Sequence, residues 1–189
     1  MYLNFIILYL YLFIIITSVS GYGLIFYKII GKKNNPINFG YLGLMGIFFL
    51  TLYSYLSHLI IPHSQIHNSL VIIVGFLFFL FNFNKKTQRL QDLVIFYLIF
   101  FLLLSGLLIS KNHDDFSYYH FPYTYYLTQH SLSFGIGKFV HGFRTPSSIF
   151  YINSLFYLPF AKYYLMNIYY ILILGFLNFI LIYKALPYL

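Results

Sequence analysis

The sequence predicts an all-α fold: a polytopic transmembrane helical bundle of about six spans with one extracytoplasmic amphipathic helix. Three observations predict it. Hydrophobic residues make up 61% of the 189-residue chain and charged residues 7%, against ~25% charged in an ordinary soluble domain. Apolar runs recur at the length, about 20 residues, that crosses a bilayer core. Lys and Arg fall singly or in pairs where those runs end. They form no basic face, so the net charge of +8 reads as membrane topology and excludes nucleic acid as a partner. No series of short alternating segments separated by turns is present, which argues against an outer-membrane barrel. Cysteine is absent, which removes disulfides, thiolate nucleophiles and cysteine metal sites.

The first apolar segment covers 2–27. No basic region precedes it and no small-residue cleavage site follows, so it reads as a retained helix and not a signal peptide. Segments at 39–61, 67–83 and 92–110 follow. A shorter one at 147–161 contains Pro159 near its end, and the last runs over 164–183. Lys28, Lys32 and Lys33 sit between the first two segments, and Lys85, Lys86 and Arg89 between the third and fourth. The link Pro62–Ile66 has no Lys or Arg. Positive-inside bias then places the two basic links in the cytoplasm, the N-terminus outside, and the 111–146 loop on the extracytoplasmic side. Lys162 falls in the next cytoplasmic turn on this scheme. The chain reads as a single integral membrane domain over 1–189. It closes on Lys184–Leu189 without a polar tail, as an N-terminal part of a larger membrane protein would.

The 111–146 loop is too long for a plain connection. Phe116, Tyr119, Tyr123, Tyr126 and Leu127 recur at helical spacing, and Tyr suits a water–lipid boundary. The spacing predicts an amphipathic helix over 115–130 lying on the outer membrane surface, bent or delayed by Pro122. Gly135, Gly137, Gly142 and Pro146 make the second half a turn-rich return.

Asp114 and Asp115 are two of only three acidic residues in the chain, and they open this loop. One reading is an N-cap, because a carboxylate there accepts a backbone N–H and suits the helix dipole. The other is chemistry: adjacent carboxylates repel, which raises one pKa and favours a general base, and the pair can also hold a cation. The two are compatible. His113 and His120 flank the pair. Lys138, His141 and Arg144 carry basic groups on the side where positive charge is under-represented. They suit phosphate oxygens, either those of lipid headgroups or those of a substrate. His63 and His67 are four apart, as metal ligands on one helix face would be, but Pro62 and the loop context favour interfacial polar residues.

The order of these motifs resembles the GT-C superfamily of membrane glycosyltransferases. An extracytoplasmic loop begins with acidic residues directly after a transmembrane helix, continues as a Tyr-rich surface helix, and returns with basic residues. Asp115-Phe116-Ser117-Tyr118-Tyr119-His120, then Gly135-Ile136-Gly137, His141, Arg144 and Ser147-Ser148, is similar to one branch of it, over roughly residues 92–160. The resemblance implies a polyprenyl-phosphate sugar donor, with Asp115 as catalytic base or cation ligand and Asp114 assisting. Tyr119, His120, Lys138, His141 and Arg144 would bind substrate. It also implies a bacterial inner membrane or its equivalent, with a divalent cation as an open question. Arg144 is displaced from the position expected of the family's basic residue, and the superfamily has more spans than six. The rival readings are a noncatalytic membrane assembly subunit and a transporter or flippase component. The absence of Asp, Glu, Lys and Arg from mid-segment positions counts against an ion-coupled carrier.

Overall fold

The computed structural model describes residues 5–30, 38–83, 90–109 and 114–185. Among them every regular element is helical. The helices are α1 (Phe5–Ile29), α2 (Phe39–His58), α3 (Gln65–Asn82), α4 (Leu90–Ile109), α5 (Phe121–Gln129), α6 (Ser148–Ser154) and α7 (Tyr169–Ala185). α1, α2 and α3 are long and apolar enough to cross a membrane, so the chain has the makings of an integral membrane protein. α4 has 20 residues and α7 has 17. The basic residues Lys32, Lys33, Lys85, Lys86 and Arg89, together with His113, lie outside the described residues.

Helix starts follow local chemistry. Asn38 caps α2 by accepting the Gly40 N–H at 2.8 Å, and Ser64 caps α3 through the His67 N–H, each satisfying a donor that lacks an intrahelical partner. α1 then packs against both α2 and α3 through small residues. A Cβ added at Gly21 would collide with the Gly75 carbonyl, and one at Gly46 with the Val19 carbonyl. Glycine therefore lets the backbones touch, the packing that lipid-immersed helices use when no hydrophobic force drives them together. The core between the helices holds Leu12, Ile15, Leu50, Phe96, Phe100, Phe156 and Phe176. Aromatic edges meet faces here, as between Phe100 and Phe176 with centroids 4.9 Å apart.

The fifth apolar segment differs from the sequence reading. Only Ser148–Ser154 is helical, about 10 Å of rise against a hydrocarbon core of ~30 Å. Pro159 lacks an N–H, and Phe160 and Lys162 adopt positive φ values of 61° and 44°, so the backbone reverses there. Residues 155–168 stay beside α6. The Asn68 amide at the start of α3 donates to the carbonyls of Ser154 and Tyr157, and Asn153 Oδ1 accepts the Tyr169 N–H that opens α7. α7 therefore begins where α6 ends. It runs down α2, with Phe176 over Gly43 and Ile180 over Gly40.

Two corrections follow. Segment 147–161 does not traverse the bundle. Lys162 lies at the same end as the 111–146 loop, since the neighbouring Tyr163 ring meets Phe121 of α5 at 6.0 Å. α5 also departs from expectation. Residues 121–129 are helical, but the face bearing Tyr123 and Leu127 is buried with Phe143, Phe150 and Tyr151 in a second small core. Protein, and not the bilayer, covers that face.

Candidate functional site

Residues 116–120 form one π-helical turn leading into α5, closed by the Phe121 N–H on the Phe116 carbonyl. Pro122 gives the reason. It has no N–H for the Tyr118 carbonyl four residues back, and its ring crowds that carbonyl, so the turn widens. Such insertions recur at functional sites. Asp114 and Asp115 precede the turn. Asp115 has helical backbone angles and makes no side-chain cap hydrogen bond, so the N-cap reading of this residue is not what the structure shows. Asp114 is exposed, and its carbonyl accepts the Ser117 hydroxyl at 3.2 Å.

The return from α5 folds back onto this turn. Gly135 takes φ 80°, the left-handed region that favours glycine. Arg144 Nε donates to the Gly137 carbonyl at 2.9 Å, tying the Gly-Ile-Gly turn to the basic segment. Gly142 sits so close to Tyr119 that a Cβ would overlap it. Tyr119 in turn packs edge-on against His120, centroids 4.3 Å apart, and His120 lies 5.2 Å from the Phe150 ring.

These contacts open a cleft of about 520 Å³ lined by Tyr119, His120, Thr145–Phe150 and Tyr170. Of the residues singled out in the sequence, Tyr119 and His120 line it, as do Ser147 and Ser148. Asp114, Asp115, Lys138, His141 and Arg144 do not. The last three are exposed on the return, and the π turn packs against the segment 141–143. Sequence reasoning missed Thr145, Pro146, Ile149, Phe150 and Tyr170, whose only signal was their position near the paired serines or at the start of the last helix. Among the described residues no group of three or more His, Cys, Asp or Glu is placed to hold a metal ion.

A second polar cluster joins the end of α2, the start of α3 and the end of α6. His63 is buried, with Nδ1 2.5 Å from Ser154 Oγ and Nε2 3.0 Å from Ser57 Oγ. The Ser154 hydroxyl donates to the Tyr151 carbonyl at 2.7 Å, so it accepts from His63 Nδ1–H. The Ser57 hydroxyl is 3.4 Å from the Ser54 carbonyl but 3.0 Å from Nε2, so its hydrogen is assigned to Nε2. His63 is therefore the neutral Nδ1–H tautomer. His67 follows the same logic. Asn68 uses its NH₂ on the carbonyls of His63, Ser154 and Tyr157 at 2.8–3.0 Å. Its Oδ1 thus accepts His67 Nδ1–H, and His67 Nε2 accepts from Tyr53. His58 Nε2–H donates to the His130 carbonyl at 2.9 Å, leaving a buried Nδ1 without a partner.

Burial, with His58 and His67 close by, lowers the His63 pKa to about 3. A neutral ring with both nitrogens engaged is a structural tie and not a metal ligand. In the small outer core, burial likewise raises the Tyr123 phenol, helped by Tyr151.

Comparison of the chain with known protein families, with curated proteins and with solved structures finds no match.

Proposed function

We propose that this chain is a GT-C-type membrane glycosyltransferase, moving a sugar from a polyprenyl-phosphate donor to an acceptor hydroxyl on the extracytoplasmic side of a bacterial plasma membrane. The observation that carries the reading is the cleft. Three segments, residues 119–120, 145–150 and Tyr170 at the start of α7, meet at one end of an apolar bundle, in a space lined by rings and hydroxyls. Tyr119, Phe150 and Tyr170 offer apolar faces to a sugar ring, while His120, Ser147 and Ser148 offer hydrogen-bonding groups to its hydroxyls. Arg144, Lys138 and His141 stand exposed on the adjoining return and suit the phosphate that remains on the lipid.

Sidedness is part of the proposal. Lys28 contacts Asn82 at the other end of the bundle, and Lys184 closes α7 there. The links carrying Lys32, Lys33, Lys85, Lys86 and Arg89 join helix ends at that same end. These are seven of the chain's eleven Lys and Arg. Positive-inside bias puts them in the cytoplasm and the cleft outside, with the N-terminus outside as well.

In the reaction, Asp115 takes the proton of the acceptor hydroxyl. The acceptor oxygen attacks the anomeric carbon with inversion. The bond from that carbon to the phosphate oxygen breaks, and its electron pair leaves on polyprenyl phosphate, whose charge the basic return offsets. Asp115 stands four residues before Tyr119, on the same helical face as a residue of the cleft. No step depends on a divalent cation, for which Asp114 and Asp115 would be the ligands.

The test is transfer in proteoliposomes from a panel of labelled polyprenyl-phosphate sugars, comparing wild type with Asp115→Asn. Asparagine cannot accept the proton but keeps the size of the side chain and one hydrogen-bonding oxygen, and membrane-fraction yield and circular dichroism of the variant check that folding survives. The expected loss is about 10²–10⁴-fold, the usual worth of a general base. Near-normal transfer by Asp115→Asn would remove Asp115 from the chemistry. No transfer by wild type from any donor would favour the noncatalytic subunit.

A further inference from the structure

We infer that residues 134–140 are a membrane wedge. Phe134 and Phe139 insert into the headgroup–acyl boundary of the outer leaflet, and Lys138 and Arg144 lie on anionic lipid phosphates. The inference rests on the membrane-spanning reading. Lys138 and Arg144 are also the groups that the glycosyltransferase reading offers to the donor phosphate, so the wedge is tested in vesicles that contain no sugar donor.

Phe134 and Phe139 are 93% and 89% exposed. The exposed apolar residues of α1–α4 and α7 face where acyl chains would lie, but these two belong to no helix. Nor is their exposure slack chain. The turn is closed by Lys138 N–H on the Gly135 carbonyl and Val140 N–H on the Ile136 carbonyl, and it is braced by Arg144 on Gly137. Ile136 points the other way and packs on the small outer core. A fixed turn thus holds two phenylalanines out from the protein, a large apolar projection that marks an interaction surface.

Depth identifies the occupant. α2 ends at His58. The His58 carbonyl accepts the Leu132 N–H at 3.1 Å, and its Nε2–H donates to the His130 carbonyl. Residues 130–132 are therefore pinned at the level where a spanning helix leaves the hydrocarbon, two residues before Phe134. Charge agrees. Lys138, His141 and Arg144 are exposed on the same turn and the return that follows it, and no Asp or Glu occurs anywhere from residue 116 to 189. Aromatic residues with basic neighbours at interfacial depth fit an anionic phospholipid surface. The Pro159–Tyr164 turn repeats the pattern at the same end, with Phe160 73% exposed beside Lys162.

The chain has no tryptophan, so Phe134→Trp and Phe139→Trp are single-tryptophan reporters, each a check on the other's folding. Leu102→Trp, on the exposed face of α4, reports the span itself. The proteins are reconstituted into vesicles of phosphatidylethanolamine and phosphatidylglycerol brominated near the headgroup or deep in the acyl chain. A wedge ~5–10 Å deep gives quenching of both turn reporters by shallow bromine in preference to deep bromine, with protection from aqueous iodide. Lys138→Gln in the same background weakens the dependence on phosphatidylglycerol. Iodide quenching without bromine quenching puts the turn in water and overturns the wedge. Shielding from both quenchers means that protein covers the turn, a second copy or another partner, and also overturns it. If Leu102→Trp escapes deep bromine, the spanning reading falls and the wedge with it. If it is quenched and the turn reporters are not, only the wedge falls.

Discussion

Replacing Asn68 by leucine keeps the side-chain volume and removes the polar tie between α3 and the segment after α6. The amide NH₂ now serves three carbonyls, those of His63, Ser154 and Tyr157, and Oδ1 accepts from His67. All of this is within the buried end of the bundle, where water cannot take over the released groups. Two donor hydrogens and one acceptor are lost. At ~0.6–1.7 kcal/mol for a side-chain hydrogen bond in a membrane protein, the variant loses about 2–5 kcal/mol. The assay is equilibrium unfolding in bicelles titrated with SDS, followed by circular dichroism. A local readout accompanies it. Ala161 is fully buried beside this network, so Ala161→Cys resists a maleimide in the parent chain and becomes reactive when Asn68→Leu is added. A variant within about 0.5 kcal/mol of the parent, with Ala161→Cys still protected, would refute the view that this amide docks the 154–162 segment.

His63→Gln tests the buried imidazole through pH. The folded pKa, about 3, lies below the unfolded value of about 6.5. The unfolded chain therefore binds a proton the folded chain refuses, and stability falls as pH drops from about 6.5 toward 3, by at most about 1.4 kcal/mol per pH unit. The glutamine variant should show a shallower loss between pH 7.5 and 5 in the same unfolding assay, and an unchanged slope would exclude His63. Gly21→Ala should push α1 from α3, because the new methyl meets the Gly75 carbonyl, at a cost of roughly 1–3 kcal/mol or more. Gly106→Ala, which meets nothing, should be neutral or stabilising by up to about 1 kcal/mol; thermal midpoints in detergent compare the two. Lys162→Cys and Ser117→Cys should label from the same side of sealed vesicles, since Tyr163 and Phe121 touch, and labelling from opposite sides would restore the span that the structure removes.

The sequence by itself determined that the chain is helical, with helices long and apolar enough to cross a membrane, and it placed three of the long helices within a few residues. The segments 39–61, 67–83 and 92–110 became Phe39–His58, Gln65–Asn82 and Leu90–Ile109. A long apolar run leaves the backbone nowhere but into its own hydrogen bonds, so length and composition suffice there. They did not suffice at 147–161. Leu155, Phe156, Leu158 and Ala161 are apolar because they are buried in protein, and burial in protein and in lipid ask for the same residues. Only the backbone reversal at Phe160 and Lys162 separates the two cases. The motif order did gather Tyr119, His120, Ser147 and Ser148, which share the cleft. It could not show that Phe150 and Tyr170 complete that cleft or that the carboxylate pair stands outside its lining. His63 is the clearest instance of what tertiary structure decided. Beside Pro62 it reads as an interfacial polar residue, yet it is buried because its partner Ser154 arrives from 91 residues away, and no local pattern announces a contact made by two distant segments.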